Sequence, residues 1–298
     1  MTLVPMAEIL LPAARDRRAV GAFNVVQLEH AEAIVTGAER VGRPVVLQLS
    51  ENTVRYHGSL APLALACLRI AAESSVPVCV HLDHATRPEL VEQAVELGVR
   101  SVMVDASSHP YERNVALTAQ LTGWCHDRDV WVEAELGEIG GKDGAHAPGV
   151  RTDPGEAAAF VAATGVDALA VAVGSSHAML TRDAVLDDEL IAAIAARVPV
   201  PLVLHGSSGV PESGLRSAVA HGITKVNIAT HLNAVLTATV RQALDANPDL
   251  VDPRKYLGPA RDAVADQVAH LVTVLASGQP TPPAPGSARD PQDQLGVG

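Results

Sequence analysis

A chain of 298 residues that is 48% hydrophobic and 19% charged can bury one large core, and with 2% aromatic residues that core must be built from Ala, Val, Leu and Ile. Its formal net charge of -12 argues against nucleic acid or an anionic membrane as partner, because the field of the whole molecule repels phosphate backbones; a small phosphate would have to be gripped locally. Three cysteines with no Cys-x-x-Cys pair read as reduced, buried thiols, and with neither a long apolar run nor an export-type N-terminus the expected location is cytoplasmic.

After a short helix at about 6–17, valine-rich runs alternate with alanine-rich runs of helical spacing. Strands are expected at 19–26, 44–50, 78–85, 101–106, 130–137, 168–174, 201–205 and 225–229. Helices are expected at 28–41, 62–74, 88–97, 112–127, from 154 onward behind the Asp153-Pro154 cap, at 187–197 and 211–221, and after the eighth strand to about 246. Eight strand-helix units with short connections are what a closed α/β (β/α)8 TIM barrel requires, and its strands, buried on both faces, should read as continuous apolar runs. An open doubly wound sheet is the alternative, but no Gly-x-Gly-x-x-Gly turn follows the first strand. One or two outer helices are expected over 255–277, so that a single domain occupies 1–277. The stretch 278–298, rich in Pro, Gly, Asp and Gln, reads as a disordered tail.

In such a barrel the reactive groups sit at the carboxyl ends of the strands. Here those ends carry Asn24, Ser50, Asp83, His84, Asp105, Glu133, Glu135, His177, His205 and Asn227. Any one of them alone is best read as a satisfied polar group at a strand rim; so many together are hard to assign to hydrogen bonding only. Catalytic zinc is commonly held by three protein ligands with one position open, and His84, His177 and His205, from three strands, are the candidates. Strand alternation objects, since it puts His81 and Asp83 on one face and His84 on the other, unless the strand ends near Asp83. His81 then has a structural role. His30, His126, His221 and His270 fall on helices or loops and are expected in solvent. Gly206-Ser207-Ser208-Gly209 and the end of strand eight, Asn227 to Thr230, can make an anion pocket where barrels often bind phosphate.

These residues resemble the class II, metal-dependent ketose-bisphosphate aldolases, the group that includes fructose- and tagatose-bisphosphate aldolases. The resemblance spans about 19–265, through Gly-Ala-Phe-Asn (21–24), His-Leu-Asp-His (81–84), Ser-Val-Met-Val-Asp (101–105), Val-Glu-Ala-Glu-Leu-Gly (132–137), Val-Gly-Ser-Ser-His (173–177), Leu-His-Gly-Ser-Ser (204–208), Lys-Val-Asn-Ile (225–228) and Asp-Pro-Arg-Lys-Tyr (252–256). It implies a zinc or other divalent ion on His84, His177 and His205, with Glu135 as an alternative ligand and Asp105 and Glu133 supporting. Asp83 would exchange the proton of the carbon-four hydroxyl. The family's mobile Gly-Gly-x-Glu acid becomes Asp143 in Gly-Gly-Lys-Asp, one methylene shorter.

The substrate and its phosphates are assigned to Asn24, Ser50, Gly174, Arg182, Gly206, Ser207, Ser208, Asn227 and Thr230, with a monovalent cation (Na+ or K+) on carbonyls near Gly174 and Gly206. Arg254 or Arg261, from this chain or from a neighbouring subunit, is expected to contribute at the far phosphate. The family pattern is broken at Gln27, at Ala178, at Arg182, where Lys is usual, and at Ala229, where fructose-specific members often carry Asp. The implied function is reversible cleavage of a ketose 1,6-bisphosphate, in a homodimer or homotetramer. The alternatives are the same chemistry on another phosphorylated sugar or sugar acid, a metal-dependent hydrolase, and a non-catalytic sugar-phosphate-binding protein.

Overall fold

The structure is a computed structural model that describes residues 2–136, 151–175 and 184–277. In chain order the elements are α1 (Met6–Arg15), β1 (Val20–Asn24), α2 (Leu28–Arg40), β2 (Val45–Ser50), α3 (Glu51–His57), α4 (Ala61–Glu73), β3 (Val78–Ala85), α5 (Pro88–Glu96), β4 (Ser101–Val104), α6 (Tyr111–His126), β5 (Trp131–Glu135), α7 (Pro154–Thr164), β6 (Ala168–Ala170), α8 (Asp188–Ala195), β7 (Leu202–Leu204), α9 (Glu212–His221), β8 (Ile223–Ile228), α10 (Thr230–Ala246) and α11 (Arg254–Ala276). All eight strands run parallel, and β1 pairs with β8 as well as with β2. That last pairing closes the barrel and excludes the open sheet.

Side-chain alternation divides the strands between an outer core and the barrel interior. Phe23, Leu47, Leu49, Val78, Val80, Leu82, Val102, Val104, Val132, Ala134, Leu202, Leu204, Val226 and Ile228 belong to the large cluster packed beneath the outer helices. The opposite faces of β1, β2 and β3 turn Val20, Ala22, Val46 and Cys79 inward against Met6, Ile9, Leu10 and Ala13 of α1, which plugs the amino-terminal end of the barrel. Two residues further along the same inward faces come Asn24, Gln48 and His81, and then Ser50 and Asp83; the register pairs Asn24 with Gln48, Gln48 with His81 and Ser50 with Asp83. The interior is therefore apolar at one end and polar at the other.

Several boundaries differ from those expected. β6 and β7 are three residues each, and α3 follows β2 directly: Ser50 caps it by accepting from the Thr53 N–H at 3.2 Å. The stretch 255–277 is one helix, α11, laid against α2 and α10. Gly37 is what allows that approach, because a Cβ there would stand 2.5 Å from the Ala265 carbonyl oxygen. The expected Asp153 cap is present, accepting from Gly155 and Glu156 N–H at 2.7 and 2.9 Å. Cys67, Cys79 and Cys125 are free and buried, and burial pushes each thiol up to about 12. Among the described residues no helix is long and apolar enough to cross a membrane. The expected tail, 278–298, lies outside the described residues.

His30 corrects an expectation. It is buried on α2, 3% exposed, instead of solvated, because α2 turns it inward toward Asn233 of α10. Burial pushes its pKa down, against the pull of Asn233 and Glu29. His126, His221 and His270 do lie at the surface, with side chains 43%, 40% and 51% exposed.

Candidate active site

The polar end of the barrel opens into a cavity of about 480 Å³, lined by Asn24, Gln48, Ser50, Glu51, Asn52, Arg55, Asp83, His84, Thr86, Asp105, Gly206, Ser207, Ser208, Asn227, Ala229 and Thr230. Asp83 and His84 both face it, although they are consecutive in a strand. The strand does not end at Asp83, as alternation seemed to demand; β3 runs on to Ala85. Instead its register against β4 slips between Leu82 and Ala85, and His84 takes a positive φ of 53°. A bulge of this kind re-aims a side chain, and a left-handed non-glycine residue costs about 1–3 kcal/mol that the surroundings must offset.

His84 and His205 each have a carboxylate near both ring nitrogens. His84 Nδ1 lies 2.8 Å from Asp105 Oδ2, and its Nε2 is 4.0 Å from Asp83 Oδ2. His205, fully buried, has Nε2 3.0 Å from Glu133 Oε1 and Nδ1 3.4 Å from Glu135 Oε2. The two rings meet edge to face with centroids 4.7 Å apart. Lys225 Nζ, also fully buried, donates to Glu133 Oε2 at 2.7 Å. His81 Nδ1 meets Ser101 Oγ at 2.8 Å, deeper in the barrel and away from the cavity wall.

The charge states follow from this wiring. Burial alone would raise the Glu133 carboxyl, but Lys225 and His205 outweigh it and hold the group ionised far below the usual range. Burial would lower His205; the hydrogen bonds and charges of Glu133 and Glu135 overcome it and lift the imidazole to about 9. His81 is pushed down to about 3 by burial and by Lys225. For Asp83, burial acts upward, but the neighbouring His84, His205 and Lys225 bring it below the ordinary carboxylate value, so it stands ionised and able to accept a proton. Asn227 Nδ2 donates to its Oδ1 at 3.3 Å.

Among the described residues, two groups of side chains bring ligand atoms within 4.8 Å of one another: Asp83, His84 and His205, and His81, Asp83 and Glu133. The second would set a cation against the Lys225 ammonium already held by Glu133. The first fits a divalent ion, with imidazole donors whose second nitrogens are fixed by carboxylates, the usual arrangement behind metal-binding histidines.

Other expected residues are distributed as follows. Asn24 Oδ1 accepts from Gln48 at 2.9 Å, Ser207 Oγ donates to the Asn227 carbonyl, and Ser208 and Thr230 lie on the cavity wall. Gly174 has φ 118°, and a Cβ there would stand 2.6 Å from the Val185 carbonyl oxygen. Gly206 opens the turn at Ser207–Gly209 with φ 64°. Gln27 bonds Glu29 and does not line the cavity. Arg254 is exposed and bonded to Asp252, and Arg261 to Glu32; neither lines the cavity, because both sit on outer helix α11. His177, Asp143, Arg182 and Ala178 lie outside the described residues.

Gln48, Glu51, Asn52, Arg55 and Lys225 were missed as site residues. Lys225 left one usable signal, a lysine inside the apolar run Ile-Thr-Lys-Val-Asn-Ile.

Comparison with known proteins agrees with this geometry. Residues 4–279 match the family model described as fructose-bisphosphate aldolase class-II. The fructose-bisphosphate aldolase of Geobacillus stearothermophilus is 40% identical over 268 residues, covering 89% of this chain and 93% of that one. That of Staphylococcus epidermidis is 38% identical over 272 residues, 90% and 95% of the two chains. Among solved structures, the YdjI aldolase from Escherichia coli K12 superposes with a TM-score of 0.79 at 29% identity, over 93% of this chain and 98% of that chain.

Proposed function

The chain belongs to the class II fructose-bisphosphate aldolase family, and from that premise we propose that it reversibly cleaves a ketose 1,6-bisphosphate, fructose or tagatose, into dihydroxyacetone phosphate and glyceraldehyde 3-phosphate, with zinc or another divalent ion. The single observation that carries this reading is the β3 bulge, which turns an ionised Asp83 and the His84 imidazole into one cavity opposite His205. His84 and His205 would hold the ion, with His177 as third ligand and Glu135 as the alternative. When bound, the ion would supply Lewis-acid stabilisation of the charge that develops on the carbonyl side as the bond between carbons three and four breaks.

The remaining steps belong to the side chains. Asp83 takes the proton of the carbon-four hydroxyl in cleavage and returns it in condensation; the Asn227 amide occupies Oδ1 and leaves Oδ2 for that proton. Asp105 fixes the His84 ring through Nδ1, and Glu133, held by Lys225, fixes His205 through Nε2. Asp143 protonates the freed carbon. Gly206, Ser207, Ser208 and Thr230 take the phosphate of the dihydroxyacetone half, residues near Gly174 and Gly206 would hold a sodium or potassium ion that offsets its charge, and Asn24 and Ser50 face the sugar. The enzyme works in the cytoplasm as a homodimer or homotetramer.

A second reading, aldol cleavage of a different phosphorylated sugar, is favoured by Ala229, which lines the cavity at a position where fructose-specific members of the family often carry Asp. Incubating the zinc-loaded protein separately with fructose and tagatose 1,6-bisphosphates decides between them. Triose phosphate from either supports the first reading; its absence from both, with activity on another sugar phosphate, supports the second.

A further inference from the structure

Glu51 is buried although it is a carboxylate with no catalytic part in the steps above. It opens the seven-residue helix α3 directly behind β2, is 6% exposed, and lies on the cavity wall. Burying such a group costs free energy unless donors match its oxygens, and among the described residues those donors come from one short stretch. Oε2 accepts from the Thr86 N–H at 2.7 Å and from the Thr86 hydroxyl at 3.0 Å, and Oε1 accepts from Arg87 Nε at 2.9 Å. Burial would raise the Glu51 carboxyl, but these bonds bring it below its usual value, so it accepts as a charged group. Thr86 and Arg87 are the first two residues past β3, and both are otherwise exposed.

Two residues before Thr86 stands His84, whose φ of 53° a non-glycine residue keeps only where the surroundings over-determine it. The register pairs Ser50 with Asp83, so β2 passes into α3 beside the point where β3 reaches His84. On the β4 side the turn is held twice. The Asp105 N–H donates to the Ala85 carbonyl at 2.9 Å, and Asp105 Oδ2 lies 2.8 Å from His84 Nδ1. On the β2 side the chain just past the bulge is held by Glu51. We infer that Glu51 is a positioning residue for the metal site: by clamping Thr86 it maintains the left-handed turn at His84 and so sets the direction of that imidazole toward His205. This rests on the proposed function only in that one ion is shared by the two histidines; Glu51 acts through the backbone, without touching the ion or the substrate.

The test loads chelator-stripped parent protein, Glu51→Ala and Glu51→Gln with cobalt(II) and records the visible absorption band, whose position and intensity follow the geometry of the ligands. Zinc affinity is measured on the same proteins by competition with a chromophoric chelator, and urea unfolding of the metal-free forms is followed alongside. In Glu51→Ala the cobalt band should change in position and intensity, and zinc affinity should fall about 10–100-fold, the usual loss when a residue that supports a ligand is removed. Glu51→Gln keeps an acceptor for Thr86 and should lie between the parent and Glu51→Ala. A cobalt band that matches the parent, whatever happens to the unfolding midpoint, would make Glu51 a structural staple and overturn the inference. If Glu51→Ala does not fold, the band of Glu51→Gln decides in the same way. Because no substrate enters, the inference and the aldolase reading fail separately. A parent that cleaves neither ketose bisphosphate while its cobalt band responds to Glu51 contradicts the reading and keeps the positioning role; intact cleavage with an unresponsive band does the reverse.

Discussion

Asp83 and Lys225 show how differently two buried charges on one barrel floor can act. Asp83 borders the cavity, so its carboxylate is available to a substrate proton. Replacing it with Asn keeps the shape and the contact to Asn227 but removes the base. The expected outcome is a kcat lower by about 10²–10⁴-fold with zinc content unchanged, checked by steady-state kinetics and metal analysis on the same sample. Lys225 does not line that cavity; it neutralises Glu133, which in turn sets His205. Lys225→Met leaves a buried carboxylate without its partner, so we expect a loss of about 3–5 kcal/mol in denaturant unfolding, and zinc affinity about 10–100-fold weaker. Adding Glu133→Gln should restore most of the stability, since the unpaired charge is then gone. The chemistry of Asp83 and its company with His84 were legible in His-Leu-Asp-His, and the bulge that brings them together was not, because a period of two carries no sign of one. Lys225 left only its place inside an apolar run as a signal: a lysine in a strand ordinarily reads as solvated, and its three-dimensional partner on β5 is what explains its burial.

At the scale of elements, strands and long helices follow from pattern, while short pieces depend on their neighbours. α3 has seven residues, too few for an apolar period to repeat, and only its Ser50 cap could have announced it. β6 and β7 are shorter than their apolar runs because the chain leaves the ladder toward the cavity after Ala170 and Leu204, while the side chains beyond, such as Val173 and His205, stay buried. Where α2 meets α10 through His30 and Asn233, a titratable group makes the packing readable by pH. His30 is buried with its pKa below 6.5, so as pH falls below that value the unfolded chain takes up a proton that the folded chain resists. Stability should be unaffected by His30 above pH 6.5 and decline below it. In His30→Gln that part of the decline between pH 6.5 and 5 should disappear, measured as unfolding midpoints in urea across the range; an unchanged slope would mean His30 is hydrated in the native state.

For the whole molecule, closure of the barrel was the most legible feature, because eight alternating units leave few other arrangements. The division of the interior was less so. The inward faces look alike in composition until α1 is known to plug one end with Met6, Ile9 and Leu10, which leaves the other end to Asn24, Gln48, Ser50, His81 and Asp83. A net charge of -12 then surrounds a cavity in which Arg55 is the one described cationic lining residue, so phosphate recognition must be local. The account rests on one ion shared between the histidines of this polar end. Zinc titrated into chelator-stripped protein, with cleavage of the preferred bisphosphate followed at each addition, tests it most directly. Turnover should be absent at the start and rise linearly to a plateau at about one equivalent per chain. Full turnover in the stripped protein, or a plateau with no dependence on added ion, would contradict it.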